Sequence, residues 1–190
     1  MNTRKDLKNL VLLGLLAGLI FLMGQTPLGL IPLGFCNVTL LVIPVAVGTI
    51  YMGWKYGLVL GAAFAATSLL SALTKPSALV ATLMGASPLL TIVMTVLPRL
   101  CIPLVIAGVY RLLSKKQKHV ASAVAAACGS LTNTVLYLGL MLLFYVLCGI
   151  DNTKVLTTIA AVAGGAGPLE ALAAAIITPP ILTALAKIKK

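Results

Sequence analysis

Long apolar runs alternate along the chain with short polar clusters. The apolar runs extend approximately from Leu7 to Gly24, Cys36 to Gly53, Gly57 to Leu73, Pro88 to Leu113, Val120 to Cys148 and Pro168 to Ala186. A helix that crosses a bilayer needs about 20 such residues. Hydrocarbon supplies no hydrogen bonds, so a spanning backbone must satisfy its own, and a helix does so within one segment. The pattern predicts an all-α membrane protein of six transmembrane helices, with residues 1–190 forming one six-span domain. Arg4, Lys5 and Lys8 precede the first run as they would in a secretory leader. That run ends in Gln25-Thr26-Pro27 instead of a small-x-small cleavage site, so it is read as the first membrane helix.

The polar clusters are of two kinds. Arg4, Lys5, Lys8, Lys55, Arg111, Lys115, Lys116, Lys118, Lys187, Lys189 and Lys190 fall at the two termini and in the connections after the second and fourth runs. The opposite side holds only Lys75 and Lys154. Basic residues accumulate on the cytoplasmic side of membrane helices, so both termini are expected in the cytoplasm. Trp54 and Tyr56 beside Lys55 suit that interface. The outer connections, Gln25 to Phe35, Thr74 to Ser87 and Gly149 to Gly167, are too long for plain turns, and long ordered connections often carry function. Two have apolar centres, which either lie across the top of the bundle or float in the outer leaflet.

Composition narrows the classes. Hydrophobic residues make up 61% and charged residues 9%, against roughly 25% charged in a soluble domain, which excludes disorder, collagen and a disulfide scaffold. The net charge of +11 invites a nucleic-acid reading, but aromatics are 5% and the basic residues form separate clusters, so no nucleic-acid partner is expected. Cys36, Cys101, Cys128 and Cys148 lack metal or redox spacing and read as small buried hydrophobes. His119 is the single histidine, and Asp6, Asp151 and Glu170 are the only acids. Gly48 to Lys55 imitates the glycine spacing of a phosphate-binding loop but lacks its Gly-Lys-Ser/Thr. Neither an enzyme nor a metal or cofactor site has the residues it would need.

Two ionisable residues fall within the runs. Arg99 lies about eleven residues, or about 16 Å, past the outer start of the fourth run. At mid-membrane an arginine costs about 2.5–3.5 kcal/mol on insertion scales, so it normally faces the interior and has a partner. An external anion, an ion pair with Glu170, and a lipid or inner-surface contact all remain open for it. Glu170 follows Pro168 in the first turn of the sixth run, where a structural role also explains an acid. Thr132 and Asn133 sit mid-way along the fifth run, and Asn37 and Thr39 lie one turn below the first outer connection. With Tyr137 these are the candidate substrate-binding residues, and they suit a small polar anion or zwitterion. Small residues recur at spacing four, Gly14 and Gly18 in the first run and Gly53, Gly57, Gly61 and Ala65 into the third, so some helix docks on each face, from inside the chain or outside it.

The run LGLIPLGFCNVTLLVIPVAVGTIYMGWKYGLVLGAAFAATSLL from Leu28 to Leu70, with Pro98-Arg99 and the SLTNT run from Ser130 to Thr134, resembles the substrate-binding membrane subunits (S components) of prokaryotic energy-coupling factor (ECF) vitamin transporters. IPLG, N-x-T, IPV and G-x-K-x-G look like the branch that includes pantothenate transporters. The resemblance implies a multi-pass protein of the plasma membrane that binds a water-soluble vitamin under its outer loops. It also implies a transmembrane coupling subunit and two ATPase subunits as partners, with no catalysis in the chain itself. In the family, small residues on the first helix dock on the coupling subunit; the equivalents here are Gly14, Ala17 and Gly18. The rival readings are another vitamin or precursor in the same architecture, a secondary carrier coupled to an ion through buried acids, and a structural membrane protein in which Arg99 pairs with Glu170.

Overall fold

Helices take up most of the chain in the computed structural model, which describes residues 3–26, 30–32 and 37–188. After α1 (Thr3–Gln25) comes a two-stranded antiparallel ribbon, β1 (Leu30–Pro32) and β2 (Asn37–Thr39), in the register Leu30 to Thr39 and Pro32 to Asn37. The remaining helices are α2 (Val42–Met52), α3 (Trp54–Thr74), α4 (Ala78–Ala86), α5 (Pro88–Leu113), α6 (Lys118–Leu147), α7 (Thr153–Ala161) and α8 (Gly167–Ile188). A π-helical turn, Val162–Ala166, joins α7 to α8.

Among the described residues, five segments are long and apolar enough to cross a membrane: Leu7–Gln25, Trp54–Thr74, Pro88–Leu113, Lys118–Leu147 and Thr153–Lys187. The second expected span, Cys36 to Gly53, is different. Its helical part is α2, 11 residues long, or about 16 Å at 1.5 Å per residue, half the hydrocarbon thickness of about 30 Å. Every residue from Val42 to Thr49 is buried, and α2 packs against α1, α3, α5, α6 and α8. A helix that is apolar all round is buried in protein, so the hydropathy here reports the bundle interior. The residues before α2 leave the helix for the ribbon, an element the all-α expectation did not contain.

The outer connections also hold more helix than expected. The apolar centre of the second is α4, which buries Leu79, Val80 and Leu83. The Tyr145 hydroxyl, from α6, donates to the Leu79 carbonyl at 2.6 Å and fixes α4 across the bundle. The third connection is α7, and Gly164 and Gly165 do not end it. They sit in the wide π turn, and buried Val155, Thr158 and Val162 hold the segment down, so one helical path runs from Thr153 into α8. Packing outweighs the roughly 1 kcal/mol that each glycine costs a helix.

Chain direction follows from two sets of contacts. The Ser71 hydroxyl donates to the Gly24 carbonyl at 3.2 Å, which sets the end of α1 beside the end of α3. Gly53, at φ +105°, makes a one-residue turn from α2 into α3, a conformation glycine adopts without steric penalty. α1 therefore begins, and α8 ends, at the end of the bundle that carries Lys55, Arg111 and Lys118. Two apolar clusters divide the interior. One, around Val45, Leu60, Ile102 and Ile106, fills the basic half, and the other, around Leu83, Met94, Met141 and Tyr145, fills the opposite half.

Candidate functional site

Four helices send polar or aromatic side chains into the space between those clusters. Thr95 and Arg99 on α5, Asn133 and Tyr137 on α6, and Phe64 and Ser68 on α3 are each four residues apart, as are Ala166 at the end of the π turn and Glu170 at the start of α8. Residues at that spacing share one face of a helix. They surround a cavity of about 100 Å³ that Thr39 of β2 and residues 75–77 also border. A single water needs about 10–15 Å³ on this measure, so the cavity has room for several waters.

Arg99 dominates its chemistry. The residue is 8% exposed, and its Nε and Nη1 have no hydrogen-bond partner. The guanidinium carbon lies 4.5 Å from the centroid of the Tyr137 ring and 5.4 Å from that of Phe64, within the range of cation–π attraction. Asn133 Oδ1 and Ser130 Oγ are likewise buried and unpartnered. Two backbone features hold the arginine in place. Pro103, four residues on, has no N–H to offer the Arg99 carbonyl. On α3, a Cβ added to Gly61 would sit 2.7 Å from that same carbonyl oxygen. The glycine lets the α3 backbone approach α5 closely, at the level where Phe64 reaches the guanidinium.

Glu170 lines the cavity in a different way. Its Oε1 accepts the backbone N–H of Thr39, and its Oε2 accepts the Thr134 hydroxyl at 3.3 Å. Both oxygens thus tie the ribbon to α6 and α8. Among the described residues it makes no ion pair with Arg99.

Arg99, Asn133, Tyr137, Thr39 and Glu170 thus come together around one cavity. Thr132 does not: its hydroxyl donates to the Cys128 carbonyl at 2.7 Å, and Thr134 takes the place expected of it. A one-residue step turns a helix by 100°, so neighbours in the SLTNT run face different ways. Asn37 belongs to β2, but its side chain lies outside the described residues. Sequence reasoning missed Phe64, Thr95, Thr134 and Lys75 as lining residues. Thr91, Thr95 and Arg99 at spacing four on an apolar helix were a usable signal for Thr95, and nothing in the sequence singled out Phe64.

On α1, a Cβ added at Gly14 or Gly18 would meet no atom within 4 Å, so both face outward, whereas Ala17 packs on the core. The glycines of α3 behave oppositely. A Cβ at Gly57 would sit 2.3 Å from Thr49 Oγ1, and with Gly61 it packs inside the bundle. Cys101, Cys128 and Cys148 are free thiols and only half-buried, Cys148 at the end of α6 where it packs against the outer core cluster; Cys36 lies outside the described residues.

Comparison with known proteins adds one finding to this geometry. The family described as ECF transporter, substrate-specific component, matches residues 8–182. No curated protein gives a significant match. With the family match extending over nearly its whole length, the chain belongs to the substrate-specific components of ECF transporters.

Proposed function

We propose that the chain captures a water-soluble vitamin, pantothenate above others, in the cavity around Arg99, and that partner subunits hydrolyse the ATP that drives uptake. The observation that carries this reading is a buried guanidinium with two unpartnered nitrogens beside the unpartnered Asn133 Oδ1. A carboxylate on Arg99 would make charge-assisted bonds, stronger than neutral ones. Pantothenate has one carboxylate, an amide and two hydroxyls, which match Arg99, Asn133, Thr39 and Tyr137. At about 100 Å³ the cavity is smaller than such a ligand, so binding requires the roof of ribbon and residues 75–77 to shift. Glu170 positions that roof through Thr39.

In the membrane, the ribbon and α2 together return the chain and serve as the sixth crossing, which leaves both termini on the basic, cytoplasmic side of a prokaryotic plasma membrane. The open face at Gly14 and Gly18, with Leu7, Leu10, Leu15 and Leu22 exposed along α1, suits docking on the coupling subunit, since small residues let helix backbones approach in lipid. The chain itself transfers no phosphate.

A thermal-shift screen of the purified chain against a panel of vitamins tests the ligand. A true ligand at 100 times its Kd adds about 2.7 kcal/mol of apparent stability. Pantothenate is expected to give the largest shift, and a larger shift from another vitamin would overturn the assignment. Uptake into vesicles should need the coupling subunit and ATPases. Accumulation by the chain alone on an ion gradient would establish a secondary carrier instead.

A further inference from the structure

At the basic end, a second cleft opens among the ends of α2, α5, α6 and α8. It measures about 490 Å³, about five times the cavity around Arg99. Its walls differ in character. Ile50, Pro179, Leu182 and Ala186 make an apolar side, while Tyr51, Tyr110, Lys118 and His119 make a polar rim. Tyr51 also donates to the Leu185 carbonyl at 3.4 Å, tying α2 to α8 at the cleft.

Three observations identify what fits there. The first is depth. Three residues after Tyr51, Trp54 is 50% exposed with the Lys55 ammonium 5.9 Å from its ring centroid. Aromatic and basic side chains of this kind settle at the headgroup level of a bilayer. The second is charge. Arg111, Lys115, Lys116 and Lys118 are clustered at the α5–α6 connection, all exposed. The acids with described side chains, Asp151 and Glu170, sit towards the other end. The third is position: the first turn of α6, which Gln117 does not cap with its side chain, lies at the cleft beside Lys118 and His119.

We propose that this cleft seats the phosphate of an anionic phospholipid against Lys118, His119 and the first turn of α6, with an acyl chain along Ile50, Pro179 and Leu182. Basic pockets between membrane helices recognise headgroups in this way. The apolar side distinguishes a lipid from free phosphate, which would leave half of the cleft bare. A lipid so placed bridges α2, α6 and α8 at the end opposite the cavity.

The test uses the full chain in detergent, with phosphatidylglycerol, phosphatidylcholine of the same acyl chains, and inorganic phosphate as probes, read by native mass spectrometry and thermal shift. Phosphatidylglycerol should be retained and should stabilise, and the other two should not. Lys118→Gln should weaken phosphatidylglycerol retention about fivefold, and His119→Gln in addition should weaken it further. Lys115→Gln with Lys116→Gln, outside the cleft, should change it less than twofold. Equal losses from both sets would mean diffuse surface charge and overturn the proposal. Stabilisation by inorganic phosphate equal to that by phosphatidylglycerol would also overturn it, as would unchanged lipid retention combined with lost assembly onto the coupling subunit. None of these readouts depends on which vitamin the Arg99 cavity takes, so either reading can fail without the other.

Discussion

Replacing Arg99 should separate binding from stability in a way that an ion-pair role would not. In the empty protein the guanidinium is 8% exposed, lacks partners at Nε and Nη1, and faces two aromatic rings at 4.5 and 5.4 Å. Such contacts contribute about 0.5–2 kcal/mol each, less than the several kcal/mol needed to bury an ion. Arg99→Gln should therefore leave the empty protein as stable as before, or more stable. Binding should respond in the opposite direction, because a carboxylate ligand left unpaired in the same site loses about 2–5 kcal/mol, or about thirtyfold to several-thousandfold in Kd. Arg99→Lys keeps the charge without the planar fork and should fall between. The assay pairs Tm of the empty protein with Kd from calorimetry, for the vitamin and for its analogue with the carboxylate reduced to an alcohol. Wild type should discriminate strongly between the two and Arg99→Gln should not. A large drop in Tm of the empty variant, with discrimination unchanged, would refute the reasoning and make Arg99 a structural cation.

Gly61→Ala places a Cβ 2.7 Å from the Arg99 carbonyl oxygen; the overpacking should cost about 1–3 kcal/mol and weaken ligand binding, read as a lowered Tm and a raised Kd. Gly14→Leu with Gly18→Leu fills open space, so ligand affinity should persist while co-purification with the coupling subunit falls. Glu170→Ala orphans the buried Thr39 N–H, at about 1–3 kcal/mol, and should speed ligand dissociation through a loosened roof; Glu170→Gln, which keeps an acceptor, should lie close to wild type. Asp151, outside the spanning segments, accepts the Thr153 N–H at 3.0 Å and the Thr153 hydroxyl, which hold its carboxyl below the usual range. The stability it gives α7 is present above the carboxyl's unfolded pKa and is lost as pH falls through the lowered value, so the protection factors of the Leu156 and Thr157 amides, corrected for intrinsic exchange, should fall in acid, and Asp151→Ala should abolish that dependence.

The helices were legible because hydropathy reports dryness, and a dry backbone must be helical or paired. It does not report what keeps the segment dry. α2 and α5 read alike in sequence, yet α2 is enclosed by five other helices, while α5 leaves Leu89, Leu97 and Leu104 exposed. The ribbon was illegible for a related reason, since Asn37 to Thr39 becomes a strand only by pairing with Leu30 to Pro32, and nothing local demands that pairing. In the site, depth along the helix was readable and rotation about it was not. Arg99 and Asn133 were found from depth, whereas the choice between Thr132 and Thr134 required the phase of α6. Outward and inward glycine stripes likewise share one spacing, and only their neighbours separate Gly14 from Gly61.

The two ionisable residues at the cavity show why geometry carries more than their presence does. Each is expensive in a membrane interior, and each was open to the same pairing with the other. Glu170 has both oxygens engaged by donors of the fold, from Thr39 and Thr134, and removing it would undo a tertiary connection. Arg99 has donors that no side chain of the fold engages, at Nε and Nη1. A polar group left half-satisfied in a low-dielectric interior destabilises the fold more than an apolar replacement would. Folding alone gives no reason to keep an arginine there. On the function proposed above, an anion that comes and goes would account for it, and the ribbon that Glu170 tethers through Thr39 is what such an anion would pass.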